Sequence, residues 1–154
     1  MSGGARLALD SWEALLSAHR ELFRNFAGEE GLWDEVSMKE YDVLYTLAKA
    51  DGPLRLCDLA EGVLLSQPAL SRMVDRLIDQ DLVLRASDPS DGRAVRLSLT
   101  EQGAELQKKI GWGHGKSIYR ELSGRISEGD QRELLRICGA LLGKDSSVEA
   151  GESK

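Results

Sequence analysis

An amphipathic stretch from Ser66 to Gln80, two short runs of β character after it, and helical-period segments on both sides predict a mainly α fold with a small β-hairpin wing, an α+β chain. In the first stretch Leu70, Met73, Val74, Leu77 and Ile78 recur at helical spacing and face a core, leaving Gln67, Ser71, Arg72 and Arg76 toward the opposite side. Ser66 is the expected N-cap, and Pro68 falls in the first turn, where a missing N–H costs nothing. The two runs are Leu82 to Ala86 and Ala94 to Leu99; the second alternates Val95, Leu97 and Leu99 against Arg96 and Ser98. Between them, residues 87–93 are dense in turn formers and predict a projecting loop with Arg93 near its tip.

Taken in order, residues 1–5 are small and Gly-rich and predict disorder, and a first helix follows from Arg6 to Ala27 with a broad apolar face. Ser37 with Glu40 three residues on is a capping-box signature for a second helix, which ends near Asp51-Gly52-Pro53. Leu54-Arg55-Leu56 is a short extended piece suited to a third strand, and a short helix starts at Cys57 or Asp58 and ends near Gly62-Val63. Thr100 caps a long helix and Ser127 a last one, after which residues 144–154 read as a solvated, flexible tail. The organisation predicted is a winged helix-turn-helix over 37–99, flanked by helical regions at 6–36 and 100–143.

The 154 residues are 42% hydrophobic and 30% charged, which suits one globular domain or protomer. No apolar run approaches the length of a membrane span, and the N-terminus lacks a signal-peptide layout, so the expected location is cytoplasmic, away from membranes. Net charge is −6, which by itself argues against phosphate-rich partners. Residues 66 to 96 nevertheless carry five arginines (72, 76, 85, 93, 96) against five aspartates (75, 79, 81, 88, 91), so a basic surface there requires the fold to sort the signs.

Helix, wing and the D-P-x-D-x-R string at Asp88, Pro89, Asp91 and Arg93 resemble the MarR family of winged helix-turn-helix regulators. The resemblance takes in Asp58-Leu59-Ala60, the run from Leu70 to Leu77 and Leu99-Thr100-Glu101-Gln102-Gly103, and roughly residues 6 to 143 follow the family's helical plan. It implies a homodimeric DNA-binding transcriptional regulator, more often a repressor, that reads a pseudo-palindromic duplex with one reading helix in each of two successive major grooves. The DNA-binding residues are then Ser66, Gln67, Pro68, Ser71, Arg72, Arg76, Asp91 and Arg93, with Arg93 in a minor groove. It also implies release by a small-molecule effector, aromatic or phenolic. Trp12, His19, Trp33, Tyr41, Tyr45, Trp112 and His114 come from the segments that border the family's effector cleft. The alternative is a winged-helix protein-interaction module without DNA binding, which the acidic balance permits.

Other chemistry finds little support in the residues. Gly113-His114-Gly115-Lys116-Ser117 resembles the end of a phosphate-binding loop, but the first glycine is replaced by Ile110 and no strand precedes it. The glycines at 111, 113 and 115 predict either a break in the long helix or close packing against it. Cys57, expected at a helix N-cap, is the candidate redox thiol. Neither the two histidines nor the two cysteines stand at metal-ligand spacing, and no nucleophile has an adjacent base, so no metal, no cofactor and no catalytic residue is expected.

Overall fold

The computed structural model describes residues 2–63 and 65–144. In chain order the elements are α1 (Gly3–Ala27), α2 (Met38–Lys49), β1 (Leu54–Arg55), α3 (Leu56–Gly62), α4 (Gln67–Asp79), β2 (Val83–Asp88), β3 (Asp91–Leu99), α5 (Glu101–Ser123) and α6 (Glu128–Leu141). The chain separates into two compact units, with the boundary between Gly115 and Lys116 inside α5. Among the described residues no helix is long and apolar enough to cross a membrane.

Local chemistry sets the element boundaries. Ser37 and Glu40 form the reciprocal capping box that starts α2, and Ser127 does the same for α6 with Asp130. Thr100 Oγ1 accepts from the Gly103 amide at 2.8 Å and donates to the Asp81 carbonyl at 2.6 Å, so one hydroxyl caps α5 and ties it to the end of α4. There the chain reverses through Asp81, at φ 58°, and the Leu82 amide reaches back to the Leu77 carbonyl at 2.9 Å.

The chain is helical from Gly3, where the sequence predicts disorder through residue 5; Ser2 takes the N-cap position and its Oγ accepts from the Ala5 amide at 3.4 Å. The predicted tail lies outside the described residues save for Lys144. In α3 the N-cap is Arg55, not Cys57 or Asp58, because the Asp58 carboxylate folds back to accept the Arg55 amide at 3.4 Å.

The three strands form an antiparallel sheet in the order β1-β3-β2, with Leu54 opposite Leu97 and Val83 opposite Leu99. Leu44, Leu59, Leu70, Leu77 and Val83 are among the core side chains that bring α2, α3, α4 and the sheet together, and Leu106 and Ile110 of α5 join them. Two glycines are required by close approach. A Cβ on Gly103 would run into the Leu82 carbonyl, and one on Gly62 would lie 2.7 Å from Thr46 Cγ2.

α5 runs unbroken through its glycines, and packing accounts for two of them. A Cβ at Gly111 would stand 3.0 Å from the Tyr41 hydroxyl and one at Gly113 2.7 Å from Leu32 Cδ1, whereas Gly115 faces open space. The segment resembling a phosphate loop is therefore ordinary helix.

Candidate nucleic-acid interface

α4 sets its apolar face into the core through Leu70, Met73, Val74 and Leu77, so the opposite face is presented outward. Ser66, Gln67, Pro68, Arg72 and Arg76 are exposed and Ser71 is half-buried. Ser66 holds the N-cap position with its backbone, its carbonyl accepting from the Leu70 amide at 2.9 Å, while its side chain makes no capping hydrogen bond. The hydroxyl and the first-turn amides thus stay available to an anion at the positive end of the helix.

The hairpin is tighter than the sequence predicts. The strands continue to Asp88 and resume at Asp91, leaving Pro89-Ser90 as the turn. Between the pairs Ser87–Val95 and Asp88–Asp91, β3 carries Gly92, Arg93 and Ala94 with no counterpart on β2. Arg93 is therefore on a bulge of β3 and not in a long loop. The Asp91 carboxylate accepts from the Arg93 amide at 3.1 Å, so Asp91 shapes the backbone that presents Arg93.

Below that bulge Asp88 is 2% exposed and accepts five hydrogen bonds. Its Oδ1 accepts from the Ser90 amide at 2.9 Å and hydroxyl at 2.7 Å, and its Oδ2 from Arg55 and from Arg96. Hydrogen bonds from Ser90, then from Arg55 and Arg96, hold this carboxyl well below the usual carboxylate range. Arg55 and Arg96 are direct partners across β1 and β3, a like-charge pair that a sheet disfavours unless a counter-charge intervenes. Asp88 is that counter-charge. Sequence reasoning placed Asp88 in a motif but missed its partners, since the signal, two arginines in register on separate strands, exists only once the sheet is known.

The fold sorts the five arginines of this region. Arg96 is held by Asp88, Arg85 pairs with Asp75 at 2.6 Å, and Arg76 leans on Glu40 at 3.4 Å. The Arg72 and Arg93 side chains carry no acidic partner among the described residues and are exposed. The acids in this stretch consequently mask some cations and leave one on the reading helix and one on the wing.

Of the candidate effector residues, Trp33, Tyr41 and His114 come together. The His114 ring meets Phe26 and Trp33 at 5.3 Å and Tyr41 at 5.7 Å between centroids, and Tyr45 stacks on Tyr41 at 6.0 Å. Trp33 Nε1 donates to the Phe26 carbonyl at 2.6 Å, and His114 Nδ1 is buried with no hydrogen-bond partner among the described residues. Burial pushes the His114 imidazole pKa down and the Tyr41 hydroxyl up. Trp12 and Trp112 are 57% and 70% exposed.

His19 lines a different cavity, of about 230 Å³, with Phe23, Lys39, Asp42, Val63 and Leu65. Burial raises the Asp42 pKa. Cys57 is exposed in the first turn of α3, its Sγ 3.7 Å from Asp58 Oδ1. Among the described residues no group of three or more His, Cys, Asp or Glu is arranged to hold a metal ion.

The MarR family model matches residues 36–95. The HTH-type transcriptional regulator Mb0904 of Mycobacterium bovis is 36% identical over 143 residues, covering 92% of this chain and 94% of its own. Among solved structures, AbsC, a MarR family transcriptional regulator from Streptomyces coelicolor, superposes with a TM-score of 0.74 at 26% identity, over 94% of this chain and 98% of that one. Sco3205 of the same organism, a MarR family regulator solved in complex with DNA, has a TM-score of 0.76 at 23% identity, over 92% and 88% of the two chains.

Proposed function

The chain belongs to the MarR family of DNA-binding transcriptional regulators, and we propose that it works as a homodimeric, cytoplasmic repressor of a pseudo-palindromic operator. The α4 helices enter successive major grooves, where Gln67, Ser71 and Arg72 meet base edges and Ser66 and Arg76 meet phosphates. Arg93, raised on its bulge, enters the flanking minor groove and favours a narrow, A·T-rich one. The observation that carries this reading is the charge sorting: in an acidic chain, Arg72 and Arg93 alone among the arginines of the region have no acidic side-chain partner among the described residues.

Dimerisation is supported by apolar surface that each element leaves uncovered. α1 has no buried residue along its 25 and exposes Leu7, Leu9 and Trp12; α6 likewise has none and exposes Leu135 and Leu141. A two-fold dimer covers such faces and fixes the spacing of two reading helices. Release comes from a small effector, aromatic or phenolic in the family pattern, that prefers a dimer with its reading helices at the wrong spacing. The ring cluster of Trp33, Tyr41 and His114 is one candidate for that contact.

Selection of binding sites from a random duplex library, at two salt concentrations and with Arg93→Ala beside the parent, tests the reading and requires no operator to be chosen in advance. An inverted repeat with half-sites about one helical turn apart, lost or weakened in the variant, is the expected outcome. Absence of any enriched sequence from a folded, dimeric protein refutes it in favour of a protein-interaction module.

A further inference from the structure

The cavity between α1, α2 and the turn ahead of α4 combines features that the DNA-facing surface does not use. His19 and Phe23 form its aromatic wall, with ring centroids 5.9 Å apart, and Val63 and Leu65 add apolar lining. Lys39 and Asp42 line the same space, one turn apart on α2. At that spacing their Cβ atoms are about 5–6 Å apart. The two side chains nevertheless form no ion pair with each other, and neither carries a hydrogen bond or ion pair to another described residue.

The geometry points to a binding site for a free α-amino acid with an aromatic or bulky apolar side chain. The ligand's ammonium meets Asp42, its carboxylate meets Lys39, and its side chain lies against His19, Phe23, Val63 and Leu65. Because the two charged groups of an α-amino acid are separated by a single carbon, one small molecule reaches both protein charges. An uncharged hydrophobe would leave the half-buried Asp42 carboxylate without a donor. A simple anion would bring a like charge to Asp42, and a simple cation would face Lys39.

Size agrees with this class. The cavity, about 230 Å³, falls below the ~300–1,000 Å³ of sites for drug-sized ligands and equals the share of seven or eight waters at ~30 Å³ each. Leu65 immediately precedes Ser66, the N-cap of α4, so a ligand packed against it restrains the turn that aims the reading helix. This coupling rests on the DNA-binding reading above; the binding site itself does not.

Calorimetry of the full-length protein with L-phenylalanine, phenethylamine and 3-phenylpropanoate separates the contributions, since the last two each lack one charge. L-Phenylalanine is expected to bind tighter than either by on the order of tenfold. Asp42→Asn should reduce its affinity to that of 3-phenylpropanoate, and Lys39→Met to that of phenethylamine. Lys39 is exposed, so its variant remains readable even if the Asp42 variant does not fold. No binding of L-phenylalanine, equal binding of all three probes, or a preference that survives both substitutions overturns the site. Mobility shift of an operator taken from the duplex selection then reads the coupling. Altered DNA affinity with L-phenylalanine supports it, whereas calorimetric binding without such an effect refutes the coupling and leaves the site standing. A protein that binds L-phenylalanine but no duplex overturns the regulator reading instead.

Discussion

Arg55 and Asp88 lie 33 residues apart in sequence and meet through two hydrogen bonds to one carboxylate oxygen, 3.0 Å from Nε and 2.7 Å from Nη2. Arg96 reaches the same oxygen at 3.0 Å, so a single buried carboxylate holds β1, β3 and the hairpin turn together. Asp88→Asn leaves two guanidinium groups opposed without a counter-charge. The expected result is a lower melting temperature and a loss of operator affinity on the order of tenfold, although Arg93 is untouched. Wild-type affinity in that variant, measured by fluorescence anisotropy, would show that the carboxylate does not position the wing.

Acid should weaken the fold in two stages. Burial lowers the His114 pKa, so the folded protein binds fewer protons than the unfolded chain. The associated stability is complete above the unfolded value of about 6.5 and declines as pH falls below it. Asp88 is also depressed, first through its bonds from Ser90. Its contribution is complete above the unfolded carboxylate range, about 4, and is lost as pH falls further. Scanning calorimetry across this range should show both declines, and His114→Leu should remove the upper one alone.

Gly103 and Gly115 predict opposite outcomes for the same substitution. Gly103→Ala pushes a methyl group into the Leu82 carbonyl, which is backbone and cannot step aside; a cost of about 1–3 kcal/mol follows. Gly115→Ala sits within α5 in open space and should stabilise by about 0.5–1 kcal/mol. Chemical denaturation of the two variants settles the matter, and equal effects would contradict the packing described.

Gln67→Ala and Arg72→Ala should separate from Arg76→Ala in sequence selection. The glutamine is expected to specify a base, so its removal relaxes preference at one position by about 1–3 kcal/mol. Arg76→Ala, by comparison, should weaken all sequences alike and reduce the salt slope by about 1. Its lean on Glu40 at 3.4 Å makes the affinity change the smallest of the three.

Charge placed on the exposed apolar faces of α1 or α6 should dissociate the protein. Leu9 is 46% and Leu135 68% exposed, so Leu9→Lys or Leu135→Glu disturbs no core of a lone chain. Light scattering is expected to report monomers in place of dimers, with operator binding lost together with the pair of reading helices. Variants that remain dimeric would rule those faces out.

What the sequence shows well is local. Ser37 with Glu40, Thr100 and Ser127 announce their helices because a cap needs only three or four residues, and the apolar side of α4 follows from spacing alone. What it hides depends on distant partners. The glycines of α5 are visible as an anomaly, yet their cause lies in Tyr41 and Leu32, far away in the chain. Turn formers at 87–93 suggest a long loop, but pairing of Asp88 with Asp91 closes the hairpin early. His19 is chemically akin to His114 in sequence, and only the fold assigns it to another cavity, where Lys39 and Asp42 carried no local signal.

The hairpin is secured at its base by the fit of Gly103 against Leu82, and near its tip by Asp88 with Arg55, Ser90 and Arg96. Neither attachment uses the side chains of residues 92–95. That short window is consequently interchangeable: it can drift, or be swapped between relatives, and retune which operators are preferred while the scaffold that aims it keeps its shape.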